Sequence, residues 1–100
     1  MNGFAEQLTL QVEKFTADYL KGLIGAGIKQ GVVRKDVDIN LAAFIINSLY
    51  IIFLASLVSR HYRIRIKEYL ELRNEPDEKT IANQIEKTIA LIEGLLRPST

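Results

Sequence analysis

A continuous apolar run from Leu41 to Val58 places the strongest constraint on how this chain can fold. Its polar members, Asn47, Ser48 and Ser56, project in well-separated directions at about 100° per helical residue, so apolar groups surround the helix axis. Such a helix has to be covered on every side, and a chain of 100 residues supplies few other helices to do so. We expect the missing cover to come from a second subunit, from a domain outside this chain, or from lipid.

The segment GVVRKDVD, residues 31–38, separates this run from a preceding helix. Gly31 can end a helix by taking a left-handed conformation, and the two valines after it favour extended backbone. Asp38 can accept hydrogen bonds from the first free amides of a following helix. We therefore expect one helix to end here and another to begin near Asp38 or Ile39.

Apolar residues recur at intervals of three to five between Phe4 and about Gln30, which predicts an amphipathic first helix. Gly22, Gly25 and Gly27 lie in its last turns, and each weakens a helix interior by about 1 kcal/mol relative to alanine. We expect the helix to break, to bend or to pack closely at these glycines. Its apolar members are Leu8, Val12, Phe15, Tyr19, Leu23 and Ile28.

The second helix is predicted to run at least to Ser59. Residues 60–67 alternate between apolar and basic side chains, as a short strand would, but helical geometry gathers most of the apolar side chains of this stretch on one arc. We therefore expect helix here, continuing the second helix toward Arg73, straight or with a bend. The residues on the arc are Tyr62, Ile66, Tyr69 and Leu70.

Acidic residues are concentrated in residues 74–78, which also contain Pro76 and lie where a third long helix would present its positive end. Arg97 and Pro98 are expected to end that helix, and Ser99 and Thr100 to form a frayed tail. Its apolar side chains form a seam of alternating four- and three-residue steps that can contact two neighbours, and we assign this seam to a dimer interface. The seam comprises Ile81, Ile85, Thr88, Ile89, Ile92, Leu95 and Leu96.

Composition excludes several classes of site. The chain has no cysteine, which removes disulfides and thiolate chemistry, and its single histidine, His61, has no second nitrogen or thiol ligand, so we expect no metal. A net charge of +1 gives no support to nucleic-acid binding. Asp36 and Asp38 stand where turns and helix starts need acceptors, so we expect no cofactor and no enzymatic activity.

The Gly-Val-Val-Arg-x-Asp-x-Asp turn, the very apolar helix with Ala42 and Ala43 near its start, and the final amphipathic helix together resemble the C-terminal half of the TetR family of transcriptional repressors. The resemblance covers about residues 15–96 and implies an all-α fold of three to four long helices. It also implies that the last two helices form a four-helix bundle with those of a second subunit, which would supply the missing cover. Residues 1–100 would then be one regulatory domain that binds an effector and dimerises in the cytoplasm.

Family members begin with a helix-turn-helix domain that binds DNA, and nothing in this sequence matches it. We therefore expect the chain to be a fragment that contacts DNA only through an N-terminal domain outside it. The segment between His61 and Asp77 is also longer than the usual connection between the last two helices.

Asn47 is the polar residue of greatest interest, because an unpaired amide inside an apolar run costs roughly 1–3 kcal/mol. We expect it to bond to a neighbouring helix, to a second subunit or to a ligand. Aromatic side chains of the first two helices can line a pocket for a small, largely apolar effector, although each is also suited to an ordinary core. The candidate ligand-binding residues are Phe15, Tyr19, Phe44, Asn47, Tyr50 and Phe53.

Two other functions remain open. Residues 41–58 approach the roughly 20 apolar residues that span a bilayer, which would make the chain a small membrane protein. Asn47 within the run, charges close to both its ends and two flanking amphipathic helices argue against a membrane. The other alternative is a helical interaction module with the same architecture and no ligand.

Overall fold

The structure of the chain, a computed structural model, describes residues 2–98. These residues form four α-helices and no strand. The helices are α1 (Asn2–Lys29), α2 (Ile39–Ser56), α3 (Arg60–Leu70) and α4 (Glu78–Leu96). The all-α prediction is thus confirmed, whereas the bundle with a second subunit stays a prediction. The expected tail, Ser99 and Thr100, lies outside the described residues.

The contacts of the chain define two compact units. Among the described residues, the first consists of residues 2–47 with 96–98, and the second of residues 48–95. The buried residues of the first unit include Ile24, Gly27 and Ala43, and those of the second include Ser56, Ile66, Pro76 and Ile81. The prediction that residues 1–100 form one regulatory domain stays a prediction.

The turn between α1 and α2 forms where the sequence predicts it. Gly31 has a φ of +79°, the left-handed conformation expected at a helix end. The amides of Val32 and Val33 both donate to the carbonyl of Gly27, at 3.0 and 3.1 Å, so the valines wrap the chain back onto the end of α1. The Asp38 carboxylate accepts a hydrogen bond from the Leu41 amide at 3.0 Å, which confirms Asp38 as the residue that caps α2.

The glycines of α1 do not break the helix, which continues to Lys29. Close packing is the outcome at Gly27, where a Cβ atom would lie 2.6 Å from Cγ2 of Val33. Gly22 and Gly25 have no such neighbour within 4 Å. The three glycines are therefore not equivalent, because only the last one meets the returning turn.

The prediction that α2 runs at least to Ser59 is wrong, since α2 ends at Ser56 and α3 begins at Arg60. The amides of Leu57 and Val58 donate to carbonyls three residues back, instead of the four residues of a regular α-helix. Ser59 is extended, with φ −121° and ψ 117°. Apolar periodicity does not show this break, because Leu57 and Val58 prolong the apolar run. The preference for helix over strand in the following residues is confirmed.

The connection from α3 to α4 also follows local rules. Glu71 ends α3 in the left-handed conformation at φ 54°, and the amides of Glu71 and Leu72 both donate to the carbonyl of Lys67. The Asp77 carboxylate accepts a hydrogen bond from the Thr80 amide at 2.8 Å and caps α4. The acidic segment before α4 therefore supplies the residue that caps this helix, as its position in the sequence predicts. We call residues 56–81, which contain both connections of α3, the α3 region.

Candidate functional site

A groove of about 220 Å³ runs beside α1 and the first turns of α2, within the first unit. Steps of four residues on α1 and of three or four on α2 bring its lining side chains onto one face of each helix. The lining residues are Glu13, Ala17 and Lys21 from α1, and Asn40, Ala43, Phe44 and Asn47 from α2.

The groove combines an aromatic wall with polar groups. Phe44 is 68% exposed and supplies the wall, while Asn40 and Asn47 supply amides that can both donate and accept hydrogen bonds. Glu13 and Lys21 add one negative and one positive charge, about 12 Å apart along the helix axis. The lining is more polar than the sequence predicts for a largely apolar effector, and the volume is below the roughly 300–1,000 Å³ of typical ligand pockets.

Asn47 is half-buried, and within the part of the chain that the structure describes its side chain takes part in no hydrogen bond. The expected bond to a neighbouring helix of the same chain is therefore not formed. The amide faces a groove instead, where a ligand or water can reach it. Among the fates expected for Asn47, a ligand and a second subunit both remain open.

The structure separates the six predicted ligand-binding residues. Phe44 and Asn47 line the groove, whereas Phe15 and Tyr19, which are 74% and 55% exposed, lie on a different face of α1 from the lining residues. Tyr50 is exposed and Phe53 is half-buried, and both belong to the second unit. Whether any of the six binds a ligand stays a prediction.

Sequence reasoning missed Glu13, Lys21 and Asn40 as groove residues. The sequence does indicate that they share helix faces, because Glu13, Ala17 and Lys21 recur at intervals of four residues. Asn40 stands seven residues, or about two helical turns, before Asn47. Polar side chains on an amphipathic helix usually face solvent, so this spacing alone does not predict a groove. Further shallow depressions, beside residues 79–86 and 3–13, are each lined by a single helix.

The predicted dimer seam divides along α4 by exposure. Ile81 is buried within the chain at 3% exposure, so it offers almost no surface to a second subunit. Ile89 and Leu95 are 51% and 65% exposed, as is the neighbouring Leu91 at 66%, which the seam prediction omits. Interface roles for the seam stay predictions, and its remaining members, Ile85, Thr88, Ile92 and Leu96, are half-buried.

Two arginines of α3 contact an acidic partner beyond the helix. Glu75 accepts from Arg60 at 3.1 Å and lies 3.7 Å from Nε of Arg63, and Nη1 of Arg63 also donates to the carbonyl of Ser56 at 3.1 Å. Glu68 and Glu71 stand nearer to these arginines in the sequence, but of the two only Glu68 forms an ion pair within the described residues, with Lys67 at 3.8 Å. Glu75 therefore joins α3 to the segment before α4.

Two carboxylates have pKa values below their ordinary range, and both have structural causes. The hydrogen bond from the Arg34 guanidinium lowers the pKa of Asp36, and the hydrogen bond from the Thr80 amide lowers the pKa of Asp77. His61 is exposed and contacts Tyr62 edge to face. Within residues 2–98 no three His, Cys, Asp or Glu side chains converge as metal ligands would.

Comparisons with protein-family models, with curated proteins and with solved structures found no match to this chain. By length and composition α2 could cross a membrane, a test that core helices of soluble proteins also pass.

Proposed function

We propose that this chain is the regulatory and dimerisation domain of a TetR-like transcriptional regulator. The observation that carries the proposal is the exposure of the apolar side chains of α2. Of its 18 residues only Ala43 and Ser56 are buried, although it is the most apolar helix of the chain. Exposed apolar side chains on several sides of one helix require a large partner surface.

A second copy of the chain is the partner that the sequence pattern favours. Leu41, Ile45 and Ile51 of α2 are 53%, 45% and 46% exposed, and Ile89 and Leu95 of α4 are exposed as well. Two apolar helices per copy make a four-helix bundle across a two-fold axis, in which each exposed stripe packs against the partner. The net charge of +1 opposes such a pairing very little.

The groove beside Phe44 and Asn47 is the proposed effector site. Its amides and two charges suit a ligand with polar groups at its ends and an apolar body against Phe44. Because the groove is small, a ligand of ordinary size needs a further wall, from a second copy or from chain outside these residues. No cofactor takes part, and DNA is contacted only through an N-terminal domain outside this chain.

Sedimentation equilibrium in detergent-free buffer tests the dimer. Glutamate at an exposed seam position, Ile89→Glu or Leu95→Glu, is expected to weaken association through α4 at least tenfold, because each buries an unpaired charge in the interface. Ala90→Glu is the matched control, since Ala90 is exposed on the opposite side of α4 and should leave association unchanged. Equal affinity for all three variants would remove the seam from the interface.

The same experiment addresses the second candidate function, a membrane protein that spans the bilayer with residues 41–58. The small number of buried residues in α2 is the observation that favours it. A chain that stays dispersed only in detergent would support the membrane protein and contradict the regulator. A helical module without a ligand would dimerise in the same way. It would show no response to small molecules, so there would be no response for Phe44→Ala or Asn47→Ala to remove.

A further inference from the structure

One face of α1 carries a stripe of apolar side chains that are 52–74% exposed. All of residues 3–15 are exposed, and six apolar residues in steps of four, four, three, four and four share one side of the helix. We call these six residues the α1 stripe. They are Phe4 (66% exposed), Leu8 (52%), Val12 (56%), Phe15 (74%), Tyr19 (55%) and Leu23 (54%).

The spacing of the α1 stripe is the same from either end. Its midpoint falls between Glu13 and Lys14, and every member has a counterpart at the same distance on the other side. The pairs are Phe4 with Leu23, Leu8 with Tyr19, and Val12 with Phe15. A two-fold interface between identical chains demands this property, because residue i then contacts residue j while j contacts i.

The charges of α1 favour the same arrangement. Residues 4–13 carry Glu6 and Glu13 and no lysine or arginine, whereas residues 14–23 carry Lys14 and Lys21 against Asp18. An antiparallel partner therefore sets the acidic half of each helix beside the basic half of the other. These charges lie away from the α1 stripe, so they act as long-range attraction, which the opposed helix dipoles reinforce.

The area is close to what a stable contact needs. A whole aromatic side chain presents about 150–250 Å², so six apolar residues at these exposures offer roughly 600–700 Å² per copy. A standard interface buries about 800 Å² per partner. The overlapping length, residues 4–23, corresponds to about 30 Å of helix.

We propose that the α1 stripe binds α1 of a second copy of this chain in antiparallel orientation. This contact is separate from the α4 seam and does not depend on the proposed function. It assigns Phe15 and Tyr19 to protein contact instead of effector binding. A chain with two different two-fold surfaces assembles beyond a dimer, either to a closed tetramer or to an open array.

Cysteine cross-linking tests the register, because the natural chain contains no cysteine. Leu8→Cys mixed with Tyr19→Cys is expected to give a disulfide-linked heterodimer under mild oxidation. Leu8→Cys alone should give none, because the two sulfur atoms would be separated by about 11 residues of helix, roughly 16 Å, far beyond disulfide reach. Leu10→Cys mixed with Tyr19→Cys is the control, since Leu10 lies on the opposite side of α1.

Sedimentation equilibrium tests the contact itself. Val12→Glu is expected to weaken the α1 contact at least tenfold, whereas Leu10→Glu should leave it unchanged. Both side chains are exposed, at 56% for Val12 and 68% for Leu10, so both variants should keep the helical circular dichroism of the natural protein. Val12→Glu should retain association through α4, Ile89→Glu should retain association through α1, and the double variant should be a monomer.

Any of the following results would overturn the proposal: preferential Leu8→Cys homodimers, which indicate parallel helices; no difference between Val12→Glu and Leu10→Glu; or no heterodimer in the cross-linking mixture. A folded Ile89→Glu variant that is monomeric at all concentrations would also overturn it. In contrast, failure of the α4 seam alone would leave the α1 contact intact and contradict only the proposed function.

Discussion

Residues 3–15 of α1 and the α3 region both carry apolar side chains at helical spacing, yet the two regions differ in burial. Every residue from 3 to 15 is exposed, whereas the α3 region buries Ser56, Ile66, Pro76 and Ile81. The difference arises from the connections. The chain turns twice within residues 56–81 and Glu75 joins the two turns, whereas residues 3–15 lie within one uninterrupted helix. Spacing alone thus identifies the apolar face of a helix, and the turns determine whether other residues of the same chain bury that face.

The largest expected effect follows directly from this contrast. Ile66→Ala removes a side chain that is 6% exposed and should destabilise the fold by about 2–4 kcal/mol. Leu10→Ala, at a position that is 68% exposed, should change stability by less than about 0.5 kcal/mol. Urea denaturation at one fixed protein concentration measures both, since association adds to apparent stability. Equal losses would erase the distinction between the two regions.

Two glycines of α1 show where this helix passes from uncovered to packed. Gly27→Ala should destabilise by about 1–3 kcal/mol, because the new Cβ would meet Val33 at 2.6 Å. Gly25→Ala has open space and should stabilise by about 0.5–1 kcal/mol through better helix propensity. Thermal unfolding of the pair should therefore shift in opposite directions, and a shared direction would contradict the close approach at Gly27.

Arg63 tests how strongly polar contacts hold the α3 region. Arg63→Met keeps the aliphatic stem but removes the donor to the Ser56 carbonyl and the ion pair with Glu75, so a loss of about 1 kcal/mol is expected. Arg65→Met is the matched control, because Arg65 is exposed and stacks only over the Tyr69 ring, at 4.8 Å. Urea midpoints that fall equally for both variants would assign no special role to Arg63.

A smaller gain is expected at the end of α3. Glu71 has a left-handed backbone that suits glycine, so Glu71→Gly should stabilise by about 0.5 kcal/mol. Glu68→Gly, in the helix interior, should instead destabilise by about 1 kcal/mol. The melting temperatures of the two variants should lie on opposite sides of that of the natural chain.

The smallest effect concerns pH. The Thr80 amide lowers the pKa of Asp77 below its ordinary value, so the stabilisation by this cap is complete above the ordinary pKa and is lost as pH falls through the lower folded-state pKa. The stability difference between the natural chain and Asp77→Asn should stay constant from about pH 7 to 5 and then shift against the natural chain below about pH 4. A difference that is constant down to pH 2 would show that the cap does not depend on charge.

Residues close together in the sequence determined most of the local structure. Gly31 and Asp38 predict the first turn, the acidic segment predicts the start of α4, and helical arcs predict α3 over a strand. These features depend on backbone sterics and on hydrogen bonds that span a few residues, so the chain encodes them locally. The limit of this reasoning is visible at Leu57 and Val58, where an unbroken apolar pattern hides the end of α2.

Only the tertiary structure decided which apolar and polar faces meet. It placed Phe44 and Asn47 in a groove with Glu13 and Lys21, and left Phe15 and Tyr19 on the opposite, uncovered side of α1. It also paired Arg60 and Arg63 of α3 with Glu75, which lies beyond that helix. Periodicity fixes the direction in which a side chain points along its own helix. What lies in that direction depends on turns and on contacts between distant residues, and these contacts compete with one another for the same limited surface.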